Sequence, residues 1–161
     1  MPDAPTITEA EPGHELVLER RLDAPRAAVW RCWTEPELMK RWFAPAPWTT
    51  PEVALDLRPG GRVAMTMRSP DGDAFPSVGQ YLAVEPERLL VFTDAYVGDW
   101  RPSEKPFFTA VVTLEDDGGG TRYIARARHW TGEDRRRHEE MGFHEGWGKC
   151  AEQLEALART L

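Results

Sequence analysis

The sequence predicts an α+β domain in which a seven-stranded curved antiparallel sheet surrounds a long C-terminal helix, with two short helices between the first and second strands. Three observations carry this expectation. Between Trp48 and Trp130, short strand-like runs alternate with turn chemistry, as in a meander. Phe143, Trp147, Cys150, Leu154, Leu157 and Leu161 recur at steps of three and four, which makes a helical seam. The chain has 161 residues, enough for one domain with a core of its own.

Taken in order, residues 1–13 carry acids and prolines and are expected to form a disordered tail, leaving 14–161 as a single domain. His14–Leu22 reads as a strand, with Leu16 and Leu18 on one face and Val17 and Glu19 on the other. Asp23-Ala24-Pro25 opens a helix, because proline in a first turn sacrifices no hydrogen bond, and Ala27, Ala28, Val29, Trp30, Cys32 and Trp33 continue it. Thr34-Glu35-Pro36-Glu37 reads as a capping box for a second short helix from Glu37 to Trp42, which Pro45 and Pro47 end. Pro59-Gly60-Gly61 separates a strand at Glu52–Arg58 from one at Arg62–Arg68, and Ser69-Pro70-Asp71-Gly72-Asp73 leads into Ser77–Val84. Glu85-Pro86-Glu87 turns into Leu89–Ala95, the loop Val97–Pro106 leads to Phe107–Glu115, and the turn at 116–120 leads to Thr121–Trp130. Thr131 is the expected N-cap of the last helix, and Glu133 and Asp134 suit its positive end. Gly142, Gly146 and Gly148 each cost roughly 1 kcal/mol against Ala inside a helix, so they imply close packing or a kink. If the seam grips a sheet, Trp147→Ala is expected to cost about 3–5 kcal/mol.

Composition excludes several functions. A net charge of −7 and a pI near 5.2 lack the basic footprint that nucleic acid requires. Cys32 and Cys150 are the only cysteines and form no CxxC, which argues against a disulfide framework or structural zinc and for a reducing cytoplasm. No apolar run approaches the length of a membrane span or a signal peptide core. Seven tryptophans imply broad aromatic surfaces, packed or lining a pocket.

The order of elements, together with the segments VWRCWTEPELMKRWFAP, RPGGRV, GQYLAVEPERLLVFT and MGFHEGWGKCAEQLEAL, resembles the SRPBCC or START-like superfamily. Within it, the chain is similar to bacterial proteins related to the C-terminal domain of the activator of the heat-shock-protein-90 ATPase, over about residues 14–161. The resemblance implies a helix-grip fold with a cavity between the concave sheet face and the C-terminal helix. Members use that cavity as lipid or hormone carriers, aromatic-polyketide cyclases, self-resistance proteins or chaperone-stimulating modules, so the fold does not settle function.

Strand alternation nominates the cavity wall. In Thr121–Trp130, Tyr123, Ala125, Ala127 and His129 share one face, while Arg122, Arg126 and Arg128 share the other with Ile124. His129 is a candidate general acid or base, against the plainer reading of a hydrogen-bonded rim histidine. Phe108, Ala110, Val112 and Leu114, and Val63, Met65 and Met67, form greasy inward sets. Leu89–Ala95 is apolar on both faces, which leaves open whether Phe92 and Asp94 or Val91 and Thr93 look inward. An inward Asp94 would have a raised pKa and could act as an acid; a solvated strand end is the plainer reading. Trp30, Trp33 and Trp42 sit on the short helices that close one end of a helix grip, as core or as wall. Trp100, in a loop that needs no aromatic residue, is a lid or a loop anchor. Phe143 and Trp147 supply the helix side. The candidate ligand-binding set is thus Trp30, Trp33, Trp42, Met65, Met67, Phe92, Trp100, Phe108, Val112, Tyr123, His129, Phe143 and Trp147, with His129 and Asp94 as catalytic candidates.

A metal site is not expected from His138, Glu139, Glu140, His144 and Glu145. On a regular helix His138 and His144 lie about 240° apart, and His144 with Glu140 reads as a surface ion pair. Neither cysteine has the electropositive setting of a nucleophile. The expected function is therefore non-catalytic binding of a small apolar or lipid-like molecule, without metal or cofactor, in a cytoplasmic monomer or homodimer. The alternatives are a cyclase- or hydratase-type enzyme using His129 or Asp94, and an interaction module whose partner is a chaperone ATPase.

Overall fold

The computed structural model describes residues 13–161, so the expected tail lies outside the described residues except for Gly13. Seven antiparallel strands follow one another across a single curved sheet: β1 (Glu15–Leu22), β2 (Thr49–Leu55), β3 (Arg62–Arg68), β4 (Ala74–Glu85), β5 (Leu89–Thr93), β6 (Phe108–Asp117) and β7 (Gly120–His129). Their spatial order is β1-β7-β6-β5-β4-β3-β2, a meander closed by β1 joining the last strand. That edge is reinforced electrostatically. Half-buried Glu15 accepts from Arg126 Nη1 at 2.8 Å and Arg128 Nε at 2.7 Å, tying the start of β1 to its neighbour.

Between β1 and β2 lie α1 (Arg26–Thr34) and α2 (Pro36–Met39), and the chain ends in α3 (Gly132–Glu140) and α4 (Phe143–Ala158). Their boundaries correct several expectations. The capping box does not form: Thr34 ends α1 with its hydroxyl donating to the Trp30 carbonyl at 2.8 Å, and Pro36 starts α2. Thr34 is better served by the carbonyl one turn back than by a cap, since Pro36 has no N–H to offer. β2 begins at Thr49 and ends at Leu55, upstream of the expected run. The final helix is two helices. Thr131 caps α3, accepting from Asp134 N at 3.0 Å, but the backbone breaks at Gly142, whose φ of 99° lies in the left-handed region. Leu161 lies beyond α4 and is exposed.

The core fills the space between the concave sheet face and the helices. Leu16, Leu18 and Leu22 of β1, Leu90 of β5, Val112 and Leu114 of β6, and Tyr123, Ala125 and Ala127 of β7 meet Val29, Cys32 and Trp33 of α1 and Phe143, Ala151, Leu154 and Leu157 of α4. A smaller cluster of Leu89, Val91 and Val111 covers the opposite face. This is why β5 reads as apolar on both sides: both are buried. Gln153 of α4 latches the irregular segment after α2. Its amide donates to the carbonyls of Trp42 (3.0 Å) and Ala44 (2.7 Å), and its oxygen accepts from Ala46 N (2.9 Å).

Candidate functional site

The core is not filled solid. Between the sheet, the α1–α2 segment and α4 lies a partly open cavity of about 360 Å³. β3 contributes Val63, Met65 and Met67, whose alternation turns every second side chain inward. Phe92 and Thr93 at the end of β5 and Asp94 just after it border the space, while Val91 does not, so the lining draws on both of the sets left open for that strand. Phe108 and Tyr123 come from β6 and β7, Trp33 from α1, Trp42 and Phe43 from the turn after α2, and Gly146, Trp147 and Cys150 from α4. Trp33 is the aromatic hub. Its ring centroid lies 4.8 Å from that of Trp42 and 5.8 Å from those of Phe43 and Phe92.

Several nominated residues stand elsewhere. Trp30 packs half-buried against the core, and Val112 and Phe143 are buried within it, none of them bordering the cavity. Trp100 is no lid. Its backbone adopts φ 61°, its N–H donates to Gln80 Oε1 at 2.8 Å, and its indole lies against Gly60 while Tyr96 packs edge-on beside it. These contacts anchor the loop to the turn before β3. His129 is buried one residue behind the wall.

In front of His129 stands a residue that sequence reasoning assigned only to a rejected metal cluster. His138 of α3 borders the cavity, and its Nδ1 lies 3.0 Å from His129 Nε2. The tautomers follow from the partners. His129 Nδ1 is 2.9 Å from the Phe107 carbonyl, which can only accept, so Nδ1 carries the proton. In the neutral ring Nε2 is then an acceptor, and His138 Nδ1 must donate to it. His138 Nε2 is left as an unprotonated lone pair. Burial is the first cause that lowers both imidazoles, and the neighbouring His129 pushes His138 further, to about 4. Both rings are therefore neutral near pH 7. The break at Gly142 explains why His138 was missed. It offsets α3 from the helical repeat of α4, so a side chain off the Phe143 seam turns inward. The same offset pairs His144 with Glu139, at 2.9 Å, rather than with Glu140.

Three further groups shape the chemistry. Asp94 Oδ1 accepts from Phe107 N (2.8 Å) and Phe108 N (3.2 Å), while burial raises its carboxyl above the usual range. Trp33 Nε1–H, only 4% of whose residue is exposed, is buried beside the Tyr123 hydroxyl, the acceptor within its reach. Burial pushes the Cys150 thiol up to about 11, which keeps it protonated and a poor nucleophile at neutral pH. Among the described residues, no three His, Cys, Asp or Glu side chains converge as metal ligands, and no helix is long and apolar enough to cross a membrane.

A family model described as Activator of Hsp90 ATPase homolog 1-like protein matches residues 23–159. The chain is similar to a crystallised protein from Nitrosomonas europaea at 45% identity and a TM-score of 0.90, over 93% of this chain and 97% of that one. A protein from Mycobacterium smegmatis is similar at 26% identity and a TM-score of 0.77, over 94% and 96% of the two chains. An AHSA1-like protein from Aeromonas hydrophila, at 21% identity and a TM-score of 0.67 over 91% and 92%, shares the fold. Among curated proteins none matches.

Proposed function

The chain belongs to the family of Activator of Hsp90 ATPase homolog 1-like proteins, and from that premise we propose that it binds a small apolar or lipid-like molecule in the cavity between sheet and α4, without transforming it. The observation that carries this reading is the wall itself. Tryptophan, phenylalanine and methionine side chains surround about 360 Å³, with a few polar groups among them. Small-molecule sites have that character and run to roughly 300–1,000 Å³. The protonated Cys150 thiol speaks against nucleophilic chemistry in the wall, and free Cys32 and Cys150 suit the reducing cytoplasm.

The test is titration with the neutral fluorophore N-phenyl-1-naphthylamine, alongside native mass spectrometry of gently purified protein. Probe emission should rise saturably, and Gly146→Leu, which drives a side chain into the cavity, should lower probe affinity at least tenfold. A probe that binds the variant equally well does not sit in this cavity. A bound molecule that is converted by wild type, with turnover lost in His129→Ala, overturns the non-catalytic part of the reading. A second reading, stimulation of a chaperone ATPase, is favoured by the family's description. It requires that Hsp90 ATPase rates change when the protein is titrated in.

A further inference from the structure

The polar groups facing the cavity are unequal in kind, and this restricts what apolar molecule fits. The cavity wall contains no lysine or arginine among the described residues, while it does contain the Asp94 carboxylate. An anionic headgroup would find no counter-charge there, and burying an unpaired carboxylate is costly. His138 offers an acceptor: its Nδ1 is committed to His129, and its Nε2 makes no hydrogen bond among the described residues. His138 borders the cavity and is 9% exposed, so its ring reaches accessible space. A purely hydrocarbon ligand would leave that acceptor unmatched.

Resting on the binding function above, we propose that the cavity selects neutral, hydroxyl-bearing apolar molecules over hydrocarbons and over carboxylates, with the ligand hydroxyl donating to His138 Nε2. The relay behind His138 makes it a positioned acceptor. The Phe107 carbonyl holds the His129 proton on Nδ1 and His129 Nε2 holds the His138 proton on Nδ1, which leaves the His138 Nε2 lone pair as the acceptor for a ligand hydroxyl at the cavity wall. Phe108 and Trp147, with ring centroids 5.3 and 5.9 Å from His138, present flat surfaces for an aromatic or alicyclic body beside that acceptor.

The experiment compares naphthalene, naphthol and naphthoate on the wild-type protein by calorimetry at neutral pH, with ¹⁵N NMR of the histidine rings. Naphthol should bind about tenfold more tightly than naphthalene, the gain of one hydrogen bond in a desolvated site. Naphthoate should bind more weakly than naphthalene. The resonance of the unprotonated His138 Nε2 should move upfield with naphthol and not with naphthalene. In His138→Phe, the naphthol advantage should vanish while naphthalene still binds. Equal affinity of naphthol and naphthalene for wild type, an Nε2 resonance unmoved by naphthol, or naphthoate binding as well as naphthol overturns the inference and leaves the apolar cavity standing. Failure of all three to bind overturns the cavity reading and the inference with it.

Discussion

An imidazole whose hydrogen-bonded neighbour is a second imidazole gains little from a proton, and His138 shows the consequence. Burial first and His129 second hold its pKa down, from 6.5 to about 4. Between those values the unfolded chain binds more protons than the folded one, so stability rises with pH across the window. It is lost as the pH falls from 6.5 towards 4 and levels off below. The whole effect is at most about 3 kcal/mol. His129, also lowered, acts in the same sense. Asp94 acts in the opposite one, because its raised carboxyl takes up a proton in the folded state before the unfolded state does. Urea unfolding at stepped pH should therefore show stability falling steeply between pH 6.5 and 4 in wild type, and less steeply in His138→Phe. Parallel curves for the two proteins would mean that the fold does not hold His138 neutral.

At the scale of elements, the pair α3–α4 separates two glycines that look alike in sequence. Gly142 has φ 99°, and a Cβ there would fall 3.3 Å from Glu145 Oε2. Gly142→Ala should destabilise by about 1–2 kcal/mol, the cost of a left-handed L-residue. Gly146 has no heavy atom within 4 Å of where its Cβ would lie, and it borders the cavity. Gly146→Ala should stabilise the helix by up to about 1 kcal/mol while weakening binding of the apolar probe. Opposite signs in thermal unfolding check the pair; a gain from both would show that α3 and α4 form one straight helix in solution. The structure also moves the expected anchor of the grip. Phe143 is 1% exposed, whereas Trp147 is half-buried against open space. Phe143→Ala should cost about 3–5 kcal/mol, and Trp147→Ala should cost less, since its ring forfeits fewer neighbours. The seam of α4 was legible from its period, but the hinge was not. Three glycines signalled an interruption without saying which one carried it, and the inward turn of His138 depends on that choice.

For the molecule as a whole, the meander and its inward faces were legible because one side of most strands is buried and the other wet. Val63, Met65 and Met67 on β3, and Phe108 and Tyr123 further along, declared themselves through alternation alone. β5 did not, because Leu90 and Phe92 serve one cluster while Leu89 and Val91 serve another. Nor did Trp100, whose place depends on Gly60 and Gln80, distant in sequence. The cavity is bounded by the sheet, the α1–α2 segment, α3 and α4 together, so a molecule bound in it would touch every layer that must separate on unfolding. Its binding energy should then appear as global stability: about 2.7 kcal/mol at a hundredfold excess over Kd, or a rise in Tm of roughly 5–10 °C for a domain of this size. Far-ultraviolet dichroism reports the sheet and helices, and tryptophan emission reports Trp33, Trp42 and Trp147 in the wall. Both should move by the same amount with a saturating neutral ligand, and neither should move in Gly146→Leu. A shift seen by emission but not by dichroism would mean that the ligand perturbs one wall without bridging helix and sheet, and the grip would not be what holds it.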